Sequence, residues 1–439
     1  MRFEPAGPLQ GDLHPPPDKS VSHRAALIGA MAEGPTRITG YLDSADTRAT
    51  LRAVSAVGAD VREGEADERG GLFVEVEGIG LRGPRPAEIN VANAGTLLRL
   101  LPGWLAGQGG GEWVIDGDES IRRRPVDRIA EPLGLMGGDV EARDGRLPPL
   151  RVRGADLRGI DYEMPVASAQ VKSCLLLAGL LAEGITRVTE PYWTRDHTER
   201  LLAAAGAEIR RDGSTIMVAP TERLEAGDVP VPGDFSSAAF FLVATLLVPG
   251  SEVSLRDVGI NRARIGLLPI LSRMGIDMGG AYESGGAVTV EEIREPGPEP
   301  IARLNVRSAS LRGTEVTAED VPSAIDELPL VALLGCFAEG ETVVSGAAEL
   351  RAKESDRIAG IVEGLTGLGA ETEGRPDGFA VRGTGGLRGG ELDAHGDHRL
   401  AMVGAIAGLA SSEGVDVRGF ESVEVSYPGF ERDLRSLLG

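Results

Sequence analysis

The chain has 439 residues, is 42% hydrophobic but only 4% aromatic, and carries a formal charge of -22. That length exceeds what one hydrophobic core serves, so two domains of roughly 200 residues each are expected, with interiors of small aliphatic side chains rather than a disordered or fibrous chain. The acidic balance speaks against nucleic acid and anionic membrane surfaces as partners, and it makes any local gathering of cations informative.

The opening stretch MRFEPAGPLQGDLHPPPDKS lacks the apolar core of a signal peptide, and no later apolar run is long enough to span a bilayer, which predicts a cytoplasmic protein. From Lys19 onward one pattern recurs six times at intervals of roughly 65 to 90 residues. Each copy starts with a polar residue of the N-cap type, continues as a helix of small apolar residues, turns at glycine and ends in a β-rich strand. The six copies begin at KSVSHRAALIGAM, NAGTLLRLLPGWLA, SAQVKSCLLLAGLL, DFSSAAFFLVATLL, DELPLVALLGCFA and DHRLAMVGAIAGLA. A more polar second helix follows each strand, as in TRATLRAVSAVGADV, HTERLLAAAGAEI and SDRIAGIVEGLTGLGAET, and the last copy stops at ERDLRSLLG.

Three units per domain predict an α/β chain of two domains. The first comprises residues 19–231; the second comprises 232–439 together with the returning N-terminal residues 1–18. Crossovers are expected near 15–19, in the stiff PPPDK stretch, and near 229–234, where Pro and Gly break the pattern. Cys174 and Cys336 lie in apolar runs without metal-ligand spacing and are expected to be buried reduced thiols.

Of the 45 basic residues only Lys19, Lys172 and Lys353 are lysines. A compact ammonium whose proton can be exchanged does something a guanidinium cannot, so Lys19 and Lys353 are candidate site residues. Lys172, inside VKSCLLLAGLL, is expected on a solvated helix face or in a supporting role. The first helices also offer unpaired N–H groups and a positive dipole end to anions. Lys19, Ser20, Ser22 and Arg24 crowd one such start, with Ser20 or Ser22 available as a cap. Asn93-Ala94-Gly95-Thr96, followed by Arg99, leaves room for a ligand beside the backbone. One of Arg122, Arg123 and Arg124 is expected to clamp an anion, with Pro125 opening the next helix. Ser168, Ala169 and Gln170, then Asp326, then Lys353-Glu354-Ser355-Asp356-Arg357, and finally His398-Arg399 complete the set of polar helix starts.

In that order, DKSVSHRA, NAGTLLRL, RRRPVDRI, SAQVKSCLLLAGLL, TRDHTERLL, PGDFSSAAFFLVATLL, IDELPLVALL, RAKESDRIAGI, GDHRLAM and SYPGF resemble the enolpyruvyl transferase family over essentially the whole chain, and within it the branch acting on shikimate 3-phosphate. The resemblance implies a two-domain inverse α/β barrel-like fold with three repeated units per domain, closing on its substrates through two crossovers. It implies transfer of the enolpyruvyl group of phosphoenolpyruvate to the 5-hydroxyl of shikimate 3-phosphate with no metal or organic cofactor; a monomer is expected. Carried over residue by residue, it places Lys19, Ser20, Arg24, Ser168, Ala169, Gln170, Arg195, Asp326 and Lys353 on shikimate 3-phosphate. It places Lys19, Gly95, Arg124, Gln170, Arg357 and Arg399 on phosphoenolpyruvate. Lys19, Asp326 and Glu354 are the implied catalytic residues: Asp326 faces the 5-hydroxyl and Glu354 protonates the methylene carbon.

Three positions depart from the family pattern. Pro17 replaces a frequent Gly, Leu100 a Pro found in some members, and Val425 a phosphoenolpyruvate-binding lysine of one branch. A sister activity on UDP-N-acetylglucosamine would carry a reactive cysteine in the loop before the Arg-Pro pair, where GDESIRRRP has none and Glu119 stands nearby. A non-catalytic sugar-phosphate-binding relative would lack one of Lys19, Asp326 or Glu354, and all three are present.

Overall fold

The computed structural model describes residues 1–67, 69–279 and 286–438, so Gly439, the last residue of the ERDLRSLLG pattern, lies outside the described residues. The helices are α1 Lys19–Met31, α2 Ala45–Ala56, α3 Gly95–Ala106, α4 Asp127–Leu135, α5 Ala169–Gly179, α6 His197–Ala204 and α7 Phe235–Leu247. They continue as α8 Leu267–Arg273, α9 Val321–Ala324, α10 Leu328–Phe337, α11 Arg357–Gly367, α12 His398–Ala410 and α13 Phe430–Ser436. The chain's own contacts divide it into a unit of residues 17–231 with 296–299, and a unit of 1–16, 232–295 and 300–439.

The helices α1, α3, α5, α7, α10 and α12 are the first helices of the six repeats. A helix that is apolar on every face is stable only inside a core. All thirteen residues of α7 are buried, and α10 is buried from Leu328 to Cys336. The second helices show one apolar face, as in α4, where Ile129, Pro132 and Leu133 are buried.

The turn after each first helix needs backbone with positive φ, which glycine adopts without steric cost. Gly34, Gly110, Gly184, Gly250, Gly340 and Gly414 supply it, with φ of 75°, 100°, 86°, 78°, 95° and 81°. Side-chain caps are present at four first helices, from Asp18, Ser168, Asp234 and Asp397. At α3 and α10 the residues in the cap position are Ala94 and Glu327, neither of which makes a side-chain cap bond, so the polar cap expected in all six repeats is not universal.

Among the described residues six small sheets repeat one arrangement, five with four strands and one with three. In the first unit, strand Glu112–Asp116 pairs in parallel with Glu88–Asn90 and antiparallel with Leu147–Arg153, which pairs with Asp139–Arg143. Strand Thr186–Thr189 repeats this with Asp161–Glu163, Thr215–Val218 and Ile209–Asp212. Strand Glu33–Leu42 takes its parallel neighbour from the far end of the unit, Asp228–Pro230. In the second unit Gln10–Leu13 is the parallel neighbour of Glu252–Gly259, and Arg2–Phe3 pairs antiparallel with Val415–Arg418. Strands such as Leu147–Arg153 alternate buried and exposed residues, as expected of sheets that cover helices with one face only.

Candidate active site

The first helices are buried along their length, and α1 and α5 reach solvent at their starts. In α1 residues Val21 to Met31 are buried while Lys19 and Ser20 are partly exposed; in α5 the same holds of Ala169 and Gln170 ahead of Val171. Side-chain contacts then link the three starts of each unit.

In the first unit Asp18, not Ser20 or Ser22, caps α1, its carboxylate accepting from the Val21 N–H at 2.8 Å. Ser22 Oγ donates instead to the Asp18 carbonyl. Lys19 Nζ lies 3.1 Å from Asp46 Oδ2, in the first turn of α2. The buried Arg24 guanidinium joins three helices: it donates to the Ser20 carbonyl at 3.0 Å, to Thr198 Oγ1 on α6 at 2.7 Å and to Ser173 Oγ on α5 at 3.3 Å. Burial pulls its pKa down to about 10, against the opposing pull of Glu199 and Asp18, which leaves it charged near neutral pH. His23, packed 2.6 Å from Thr50 Oγ1, is pushed down to about 3 by burial and is neutral.

Gly95 is the first residue of α3, and of the three consecutive arginines it is Arg124 that faces it. Arg124 donates to Asn93 Oδ1 at 2.9 Å and to Ser120 Oγ at 3.3 Å. Arg122 pairs with Asp116 at 2.7 Å, and Arg123 is exposed. The expectation that Pro125 opens the next helix is corrected: α4 begins at Asp127. The residue before a proline is driven to extended backbone, as Arg124 is, and the Val126 N–H is held by the Arg146 carbonyl, which delays the helix. Ser168 caps α5. Gln170 bridges two repeats, accepting from Arg99 at 2.8 Å and donating to Thr96 Oγ1 at 3.2 Å.

The expectation of a solvated Lys172 is also overturned. Its side chain is 0% exposed, with Glu199 at 2.7 Å and Glu190 at 3.1 Å, because this side of α5 faces α6 and the turn before it. Arg195, half-buried in that turn, is near enough to Arg24 to lower its pKa.

In the second unit Asp326, just before α10, lies among three arginines. Arg357 NH1 is 3.3 Å from Oδ1, while Arg264 NH1 and Arg399 NH2 are 3.4 and 3.6 Å from Oδ2. Glu327 turns away into the core, where Ser236 Oγ donates to it. Arg357 is buried, its Nε on Asp397 at 2.8 Å and its NH2 on Glu354 at 2.6 Å. Burial opposes that charge, but Asp397, Glu354 and Asp326 outweigh it and raise the pKa further.

Asp397 caps α12, accepting from the Arg399 N–H at 2.9 Å, and Asp234 caps α7 while pairing with Arg264 at 2.9 Å. Burial acts to raise both carboxyls, yet the neighbouring cations hold them below the usual range. Asp356 caps α11 through the Ala359 N–H and so serves the helix. Lys353 is half-buried at the end of the 3-10 turn Ala348–Ala352 and has no ion-pair partner among the described residues.

Sequence reasoning missed Asp46, Asp234, Arg264 and Asp397. The aspartates carried a signal, since each stands at or beside a helix start. Arg264 carried none in a chain where Arg is the ordinary cation.

Among the described residues no helix is long and apolar enough to cross a membrane. A family model described as EPSP synthase (3-phosphoshikimate 1-carboxyvinyltransferase) matches residues 3–434. The 3-phosphoshikimate 1-carboxyvinyltransferase of Halorhodospira halophila is 48% identical, covering 99% of this chain and 95% of that protein. Its Thermus thermophilus counterpart is 47% identical, covering 100% and 98%. The structure of EPSP synthase from Acinetobacter baumannii superposes with a TM-score of 0.85 at 40% identity, covering 99% of this chain and 97% of that one. The enolpyruvyl transferase NikO from Streptomyces tendae, at 20% identity and a TM-score of 0.74 with 99% and 96% covered, shares the fold. With its six helix starts joined in threes by arginines and carboxylates, the chain belongs to the EPSP synthase (3-phosphoshikimate 1-carboxyvinyltransferase) family.

Proposed function

We propose a division of labour among the residues of an enzyme that transfers the enolpyruvyl group of phosphoenolpyruvate to the 5-hydroxyl of shikimate 3-phosphate and releases phosphate, a step towards chorismate and the aromatic amino acids. The methylene carbon of phosphoenolpyruvate gains a proton, C2 becomes electrophilic, and the hydroxyl oxygen attacks it while losing its own proton. Expulsion of phosphate, with return of a proton from the new methyl group, then restores the double bond. An acid and a base must therefore act on opposite partners.

Glu354, with Lys19, serves the carbon, and Asp326 takes the hydroxyl proton. The observation that carries this assignment is the Asp326 carboxylate set among Arg264, Arg357 and Arg399. Three cations favour its ionised form, so it is an acceptor at neutral pH.

Arg357 keeps Asp397 on Nε, and its NH1 and NH2 edges exchange Asp326 and Glu354 for an anion of phosphoenolpyruvate. Arg124 beside Gly95, together with Arg399, Gln170 and Lys19, supplies the remaining contacts to that substrate and stabilises the departing phosphate. Ser20, Arg24, Ser168, Ala169, Gln170, Arg195 and Lys353 hold shikimate 3-phosphate, with Lys19 and Asp326 at its reacting side. The same reading makes the enzyme a cytoplasmic monomer, in keeping with two buried free cysteines. Phosphate release is measured with phosphoenolpyruvate and either shikimate 3-phosphate or UDP-N-acetylglucosamine. Release with shikimate 3-phosphate supports the assignment, and release only with the UDP-sugar overturns it.

A further inference from the structure

Lys172 is the chain's third lysine and takes no part in the chemistry above. Its ammonium is wholly buried between Glu190, at 3.1 Å, and Glu199, at 2.7 Å, and lies 3.3 Å from the Thr194 carbonyl. Glu190 also takes the Thr194 N–H and hydroxyl and pairs with Arg211, whose guanidinium stacks 5.4 Å from the ring centre of Trp193. Two of the three contacts of Lys172 therefore fall one residue from a group assigned to shikimate 3-phosphate or from a direct partner of one, and the third, Glu190, holds Thr194. Thr194 precedes Arg195; Glu199 follows Thr198, which accepts from Arg24; and Ser173, beside Lys172 on α5, accepts from Arg24 as well.

We propose that Lys172 is a positioning residue for shikimate 3-phosphate, neutralising Glu199 and Glu190 so that these carboxylates do not capture Arg24 and Arg195, and pinning the turn that carries Arg195. A buried carboxylate without a partner is strongly disfavoured and recruits the nearest cation. Without Lys172, Glu199 is left with Arg24, whose charge it already feels and which is assigned to shikimate 3-phosphate. Arg211, on the far side of Glu190, forms its ion pair with Glu190 alone among the described residues and does not replace Lys172 beside Glu199. The inference rests on the reading that Arg24 and Arg195 hold shikimate 3-phosphate.

Steady-state kinetics of the full chain test both levels, with thermal unfolding recorded for every variant. Arg195→Ala tests the underlying reading: an unchanged KM for shikimate 3-phosphate removes Arg195 from the site, and the inference goes with it. If Arg195→Ala weakens that substrate, Lys172→Met is expected to raise the same KM about tenfold, equivalent to about 1.4 kcal/mol, while the KM for phosphoenolpyruvate stays within about twofold.

Adding Glu199→Gln to Lys172→Met removes the stranded carboxylate and is expected to recover most of the loss. A purely structural role would lower the unfolding temperature and leave the double variant no better than the single one, which overturns the proposal. Glu199→Gln alone keeps the proposal testable if Lys172→Met does not fold. With one fewer negative charge beside Arg24, its KM for shikimate 3-phosphate is expected to fall by about two- to threefold, and a rise overturns the proposal.

Discussion

The guanidinium of Arg124 occupies the space beside Gly95 that any other residue would need. A β-carbon built on Gly95 would lie 2.5 Å from Arg124 NH1, well inside van der Waals contact. The glycine at the start of α3 is thus a condition for the position of the arginine.

Gly95→Ala must push Arg124 aside, and since the guanidinium is the far end of a flexible side chain, the fold tolerates the move. The KM for phosphoenolpyruvate is expected to rise about tenfold with an unfolding temperature close to that of the parent, because a displaced charge-assisted contact is worth one to a few kcal/mol. Unchanged affinity would show that Arg124 does not bind this substrate.

Asp326→Asn keeps the shape of the side chain and removes the proton acceptor. Turnover is expected to fall by about a hundredfold or more, the usual scale for losing a general base. Lys19→Arg, which keeps the charge but not the exchangeable ammonium, is expected to lose turnover similarly. Near-normal rates in either variant would refute the corresponding role.

Asp397 is both the cap of α12 and the buried partner of Arg357, so Asp397→Asn tests stability as well as chemistry. The amide can still cap, but it leaves the Arg357 Nε without its counter-charge, at a cost of about 3 kcal/mol. Urea denaturation checks this, and a loss below about 1 kcal/mol would mean that Glu354 and Asp326 suffice to hold the guanidinium.

His23 makes folding depend on pH in a definite window. Its folded pKa, about 3, lies below the ordinary 6.5. Between those values the unfolded chain binds a proton that the folded chain refuses, so this contribution to stability is full above the ordinary value and is lost as pH falls below it. The stability advantage of the parent over His23→Gln is therefore expected to shrink by about 2 kcal/mol between about pH 7 and about pH 5. An identical difference at both pH values would mean that the imidazole is not held neutral.

Much of this was legible in one dimension. The six helices of small apolar residues, their glycine turns and the carboxylates at several helix starts are local features, because helix burial, positive φ and capping depend on neighbours a few residues away. Gly95, Asp326 and Glu354 could be named as candidates from motifs, and Arg124 as one of three arginines, since each motif lies at a helix start or the turn before one.

What only the tertiary structure decided were the pairings over long separations. Arg24 meets Thr198 at 174 residues' distance along the chain, and Arg264 meets Asp326 at 62. No periodicity records such contacts, because they arise where separate repeats pack against one another. For the same reason the sequence leaves Lys172, inside an apolar helix, between a solvated face and a supporting role, whereas packing against α6 supplies it with two carboxylates. Local sequence determined which segments become helices, where they start and what charge stands there; only packing chose which of those charges meet.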